Sequence, residues 1–191
     1  MIPGNAPRRS SLPWLPYPKS DKVLINSHNF GGGIPARDMV KRSNIFTDYT
    51  SGIQTVAASS ELGTNNRAWK AVDGNNTTTS SHGWICANSG LPAWWSIDFG
   101  AGQPVYSAAF STRSNSAVDR PYDFVFESSN DNSNWIARHT VTSHTWAANQ
   151  NLIEFVFDDP AIARYWRIRI TASSVDGSGT RTAIVEIEWY S

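Results

Sequence analysis

The run Trp166-Arg167-Ile168-Arg169-Ile170 alternates apolar and charged side chains without a break, and a period of two is what a β-strand buries on one face and solvates on the other. It puts Trp166, Ile168 and Ile170 in a core and leaves Arg167 and Arg169 outside. The same rhythm recurs in Phe124-Val125-Phe126 and Phe155-Val156-Phe157. Further runs of strand length lie at 53–59, 94–99, 105–112, 122–128, 135–141, 151–157, 165–172 and 184–190, with Gly, Pro, Asn or Asp between them. Residues 68–72 read instead as a turn or short helical piece leading into the Asp73-Gly74 turn. Many short strands joined by polar turns make an all-β sandwich.

Two distant stretches, Lys70-Ala71-Val72-Asp73-Gly74-Asn75-Asn76-Thr77-Thr78 and Ala183-Ile184-Val185-Glu186-Ile187-Glu188-Trp189-Tyr190, each set oxygen ligands beside a strand. A sandwich whose first and last strands meet around a cation shows this pattern. Calcium takes six to eight oxygens from carboxylates, amides, hydroxyls and carbonyls. Asp73, Asn75 and Thr78 offer such oxygens within six residues, turned back by Gly74, and Glu186 can close the shell. The plainer reading is an Asx-turn at Asp73 with Glu186 solvated.

Taken in order with Trp94-Trp95-Ser96-Ile97-Asp98-Phe99-Gly100, with the run from Arg120 to Trp135 and with Ala163-Arg164-Tyr165-Trp166-Arg167-Ile168-Arg169-Ile170, these stretches resemble the discoidin family. It is also called the coagulation factor five/eight type C domain, and its bacterial branch is the family 32 carbohydrate-binding modules. The resemblance runs over about residues 50–191. It implies a galactose-binding-like jelly-roll β-sandwich of two antiparallel sheets. It also implies a structural Ca²⁺ held by the backbone carbonyls of Lys70 and Val185 and the side chains of Asp73, Asn75, Thr78 and Glu186.

A hexose offers an apolar patch of C–H groups and a rim of hydroxyls, so its sites pair an aromatic platform with fixed donors and acceptors. In the resembling modules these residues sit on loops at one end of the sandwich, near the cation. Here the corresponding loops are 79–84, 113–120 and 143–149. His82, Arg113 and Asn115 would form a polar clamp, with Trp84 or Trp146 as platform. Trp84 reads equally as the family's buried tryptophan, and His82 as a solvated loop residue. The implied partner is a cell-surface glycan, galactose-like or an amino sugar. Trp94 and Trp95 alternate in facing, so one belongs to the core and the other to the surface.

The family binds without cleaving, and the chain carries no nucleophile elbow, phosphate-binding glycine loop or zinc-spaced His and Glu pair, so no enzymatic activity is expected. Asp158-Asp159, beside Pro160, read as a solvated turn rather than a catalytic pair. Sixteen basic and sixteen acidic residues cancel, which argues against nucleic acid and anionic membranes as partners. The end loops are mainly Ser, Asn, Thr and Arg, without the apolar spikes membrane insertion needs. Cys86 is the only cysteine, so no intrachain disulfide closes the domain, as one does in many animal members.

Residues 1–48 read as an extended arm, and 49–191 as the sandwich. Pro3, Pro7, Pro13, Pro16, Pro18 and Pro35, with Gly31-Gly32-Gly33, forbid long helices and central strands there. Yet Trp14, Leu15, Tyr17, Leu24, Ile25 and Phe46 are more apolar than a solvated linker requires. The expectation is an arm buried against other chains of a multi-copy assembly. The segment from Met1 to Arg9 shows no apolar stretch of a secretory signal. A sugar-binding fold read without a signal points to a phage virion protein of the tail, collar or capsid surface, made in the host cytoplasm. A bacterial extracellular protein whose signal was removed is the alternative localisation. On function, the alternative is a purely structural virion decoration or adaptor protein with no sugar ligand.

Overall fold

A computed structural model describes residues 40–78, 82–88, 90–147, 152–174 and 176–191. Nine strands form among them: β1 (Thr50–Ser51), β2 (Gln54–Ala58), β3 (Trp84–Ile85), β4 (Ala93–Ser111), β5 (Pro121–Ser129), β6 (Ile136–Val141), β7 (Ile153–Ser173), β8 (Ala183–Ile184) and β9 (Glu186–Tyr190). Helical structure among the described residues is confined to two short 3-10 turns, Ala68–Ala71 and Ala117–Asp119. No helix of the described residues is long and apolar enough to cross a membrane.

The layers are joined by two strands that serve both. The first half of β4 pairs with β2 and with the second half of β7, for example Trp95 with Ala58 and with Ile168. Beyond a register shift between Asp98 and Gln103, β4 pairs with the first half of β7 and with β9, Ala108 lying between Phe155 and Trp189. The first layer therefore runs β1-β2-β4-β7-β5-β6, and the second joins the other ends of β7 and β4 to β9. Gly100 sits in the bend of β4 at φ +77°, where a Cβ would stand 2.9 Å from the Ile53 carbonyl oxygen. Only glycine combines that backbone with that approach.

The sequence divided β4 into 94–99 and 105–112, and β7 into 151–157 and 165–172. Each pair is one continuous strand because a strand can bend between layers without ending. Asp158, Asp159 and Pro160 accordingly lie within β7, exposed, where Arg138 pairs with Asp159 and His139 with Asp158 at 2.9 Å.

The core is aromatic. Trp189 of β9 meets Phe126 of β5 and Trp166 of β7, each with ring centroids 5.9 Å apart across the two layers. Phe110 of β4 meets Phe124 of β5 edge-on at 5.4 Å, a favoured arrangement for aromatic pairs. Trp166, Ile168 and Ile170 are buried, as their spacing predicts, while Arg167 pairs with Glu127 on the outer face. Trp95 is the core member of its pair and Trp94 the half-buried outer one.

The boundary at residue 48/49 moves. The compact unit that holds the sandwich starts at Lys41. Lys41 bridges to Tyr190, the Arg42 amide donates to the Trp189 carbonyl at 2.7 Å, and Phe46 is fully buried, its amide donating to Val72. Residues 41–48 therefore pack with the sandwich, Lys41 and Arg42 beside the last strand and Phe46 in the core. Residues 1–39, most of the expected arm, lie outside the described residues.

Candidate functional site

Asp73 and Gly74 open the turn that the first oxygen-bearing stretch predicts. Gly74 takes φ +78°, Asp73 Oδ1 accepts from the Asn75 amide at 3.0 Å, and Asn75 Oδ1 accepts from the Thr77 amide at 3.1 Å. The turn meets the last strand at Glu186, whose Oε2 accepts from the Gly74 amide at 3.2 Å. Glu186 is buried, which pushes its carboxyl up to about 8; Lys41 and the Gly74 N–H oppose that rise, and the nearby Asp73 and Glu188 carboxylates add to it. A buried carboxyl beside another carboxylate gives up its proton reluctantly, and a bound cation would favour its charged form.

The donor set suits a hard cation. Asp73 and Glu186 offer carboxylates, Asn75 an amide and Thr78 a hydroxyl, an all-oxygen set, although among the described residues no group of three His, Cys, Asp or Glu side chains gathers. That favours calcium over zinc. Lys70 lies in the 3-10 turn just before Asp73, and Val185 precedes Glu186 between β8 and β9. Thr78 Oγ1 lies 3.2 Å from Ser114 Oγ, and the Thr78 carbonyl accepts from the Ser114 amide at 3.0 Å. The turn is thereby tied to the next loop.

That next loop carries Arg113 and Asn115. Arg113 Nη1 donates to Asp119 Oδ2 at 2.6 Å, and Arg181 Nε donates to Asp119 Oδ1 at 2.6 Å. Asp119 is completely buried and holds two guanidinium groups from separate loops. Arg120 binds the Ser114 carbonyl at 2.8 Å and reaches the Trp146 carbonyl at 3.4 Å. Trp146 is half-buried: its Nε1 donates to the Pro121 carbonyl at 2.6 Å, and its ring packs against Phe110 and His144. Burial holds the His144 imidazole below its usual pKa. Asn115 is exposed at the tip.

His82 joins this group from the other side, its Nε2 3.0 Å from Asp73 Oδ2. The structure thus links His82, Arg113, Asn115 and Trp146 to one end of the sandwich, next to the Asp73–Glu186 pocket. Trp84 is a correction. It is fully buried, with Nε1 donating to the Ser60 carbonyl at 2.8 Å and its backbone paired to Ile184, so no sugar ring can reach its face. A wide indole next to a two-residue strand fills the space under that end of the sandwich.

Asp119, Arg120 and Arg181 organise these loops, and the sequence reading gave them no role. The signal was one acid among arginines in the 113–120 loop, but Arg181 comes from far along the chain. A cleft of about 340 Å³ opens beside Arg181, lined also by Asn88, Val118, Ser174, Gly179 and Thr180. Gly179 is needed there, since a Cβ would stand 2.3 Å from Ser173 Oγ.

The family model for the F5/8 type C domain matches residues 55–187. The chain belongs to the F5/8 type C domain family. Among similar solved structures is the family 32 carbohydrate-binding module of Clostridium perfringens NanJ in complex with galactose. It is 25% identical, with a TM-score of 0.55 over 73% of this chain and 94% of that module. Chitosan-binding module 1 of a Paenibacillus chitosanase/glucanase is 25% identical, with a TM-score of 0.57 over 72% of this chain and 95% of that one. The CBM32-3 module of a family 31 glycoside hydrolase from Clostridium perfringens is 22% identical, with a TM-score of 0.59 over 70% of this chain and 87% of that one, and shares the fold. No curated protein matches.

Proposed function

We propose that this F5/8 type C domain is a non-catalytic sugar-binding module that takes a galactose-like or amino sugar at the loop end. The observation that carries the reading is that Thr78–Ser114, His82–Asp73 and Arg120–Trp146 contacts tie the loops bearing Arg113, Asn115, Trp146 and His82 to the Asp73–Glu186 turn. Buried Asp119 pre-orients the Arg113 guanidinium, so a hydroxyl that reaches its exposed part meets a group needing little ordering. Trp146 offers an indole edge and part of a face for the C–H patch of the ring. The relatives bound to galactose or named for chitosan support this ligand class.

A Ca²⁺ in the turn would be held by Asp73, Asn75, Thr78 and Glu186 with the carbonyls of Lys70 and Val185, and it would supply charge neutralisation and rigidity, not chemistry. The arm, now bounded at residue 40, would anchor the module to a larger assembly, for which a multi-copy phage virion contacting host glycans is our preferred setting. Several weak sites on one particle raise avidity by orders of magnitude when they engage a surface together.

Glycan titration with and without chelator tests the reading. Binding near a millimolar constant, worth about 4 kcal/mol, should weaken in Arg113→Ala and Trp146→Ala and after calcium removal. A second reading has an observation of its own: Arg113 is committed to Asp119 and Trp146 to the core, roles a purely structural adaptor would also need. Absence of glycan binding in the calcium-loaded protein, with these loops intact, decides for the adaptor.

A further inference from the structure

We propose a second ligand site on the outer face of the first layer, where Trp94, Trp135, Asn132 and Arg167 take a single acidic sugar ring, a hexuronate, by stacking and carboxylate pairing. The four residues line a cleft of about 160 Å³. Pockets for larger ligands begin at roughly 300 Å³, so this one suits one ring.

Trp94 of β4 stands opposite Arg169 of β7, and Ser96 opposite Arg167, so Trp94 and Arg167 rise from neighbouring strands on the side away from the core. Trp135, just before β6, brings its indole over the Arg167 guanidinium at 4.1 Å. Beside the cleft Arg167 and Arg169 share one carboxylate, and the Asp131 carboxylate of the adjoining loop is satisfied by that loop's own N–H groups. Glu127 accepts from Arg167 Nε at 2.6 Å and from Arg169 Nη2 at 3.1 Å. The two terminal nitrogens of Arg167 form no hydrogen bond with other described residues. A planar guanidinium matches a carboxylate in a two-point pair, which favours an acidic ring over a neutral one.

The loop that presents Asn132 and Trp135 is rigid before any ligand arrives. Asp131 accepts from the Ser133 amide at 2.9 Å, the Asn134 amide at 2.8 Å and Asn134 Nδ2 at 2.6 Å. Asn132 is held at φ +59°, a conformation asparagine tolerates better than most residues, and its amide carries both a donor and an acceptor for ring hydroxyls. Pre-ordering of this kind lowers the entropic cost of binding. The site is separate from the loop end: β5 begins at Pro121, after the Arg113 loop, and ends at Ser129, before the Asn132 loop. One chain would then hold two sugar sites at different places on the sandwich, one for neutral and one for acidic rings.

Indole N–H resonances of the full chain, assigned through Trp94→Phe and Trp135→Phe, provide the test with sodium galacturonate as probe and galactose as its neutral control. Galacturonate should shift the Trp94 and Trp135 signals in the millimolar range, with galactose at least about tenfold weaker at the same two indoles. Trp94→Ala should weaken galacturonate about tenfold, a typical loss for one stacked ring. Arg167→Lys keeps a cation beside Glu127 but loses the two-point geometry, and should also weaken galacturonate should Trp94→Ala fail to fold. Silence of both indoles up to tens of millimolar galacturonate, or equal shifts with galactose, overturns the proposal. So does galacturonate binding unchanged in Arg167→Lys. The Trp146 indole reports the loop end separately, so failure of that site appears there and not at Trp94 or Trp135.

Discussion

The Gly74 amide donates to Glu186 Oε2 at 3.2 Å across 112 positions of sequence, and this bond ties the first turn of the sandwich to its last strand. Glu186 sits there with its carboxyl pushed up to about 8, chiefly by burial. The folded state therefore binds this proton more tightly than the unfolded chain, where the carboxyl returns to its ordinary value near 4.5. Its contribution to stability is full below the unfolded pKa and is lost as pH rises through the folded one. Denaturant midpoints of the metal-free protein should fall from about pH 4.5 to about 8. Glu186→Gln should flatten that fall, and added Ca²⁺ should restore the wild type at the alkaline end. A wild type whose midpoint matches that of Glu186→Gln at every pH would remove the buried carboxylate from the account.

Phe46 marks where the sandwich begins. Its side chain is fully buried and its amide is bound to Val72, so Phe46→Ala should cost about 3–5 kcal/mol, the usual range for an aromatic removed from a core. Deletion of residues 1–40 should leave the melting transition intact, whereas deletion through residue 48 should lower it sharply. Equal stability of the two truncations, measured by thermal unfolding, would place the boundary back at residue 48.

Asp119 holds two arginines of unequal exposure, Arg113 at 13% and Arg181 at 30% of the side chain. Removal of the shared carboxylate strands both cations, and Asp119→Ala should cost about 3 kcal/mol. Arg113→Ala should cost less because Arg181 still neutralises Asp119, and Arg181→Ala least, below about 1 kcal/mol, because water screens the more exposed pair. Chemical denaturation of the three variants checks the order. If Arg181→Ala proves the most damaging, the loops are organised around the cleft rather than around Arg113.

Period-two alternation is a local property, and it determined by itself that Trp166, Ile168 and Ile170 face inward and Arg167 and Arg169 outward. The Asp73-Gly74 turn was legible for the same reason, since an Asx side chain and a glycine at positive φ act within a few residues. The end loops holding His82, Arg113, Asn115 and Trp146 were legible through the order of motifs. Tertiary structure alone decided the rest. Phe46 is buried, and Trp84 takes the buried one of its two readings, because space exists for them under the sheet ends. β4 and β7 run through Gly100 and Pro160 because hydrogen bonds to two different layers carry them past residues that locally favour a turn. Asp119 meets Arg181, and Trp94 comes to share a cleft with Trp135, only once antiparallel pairing has brought strands far apart in the chain side by side. Local rules decide which face a side chain takes; the layer packing decides which side chains then share it.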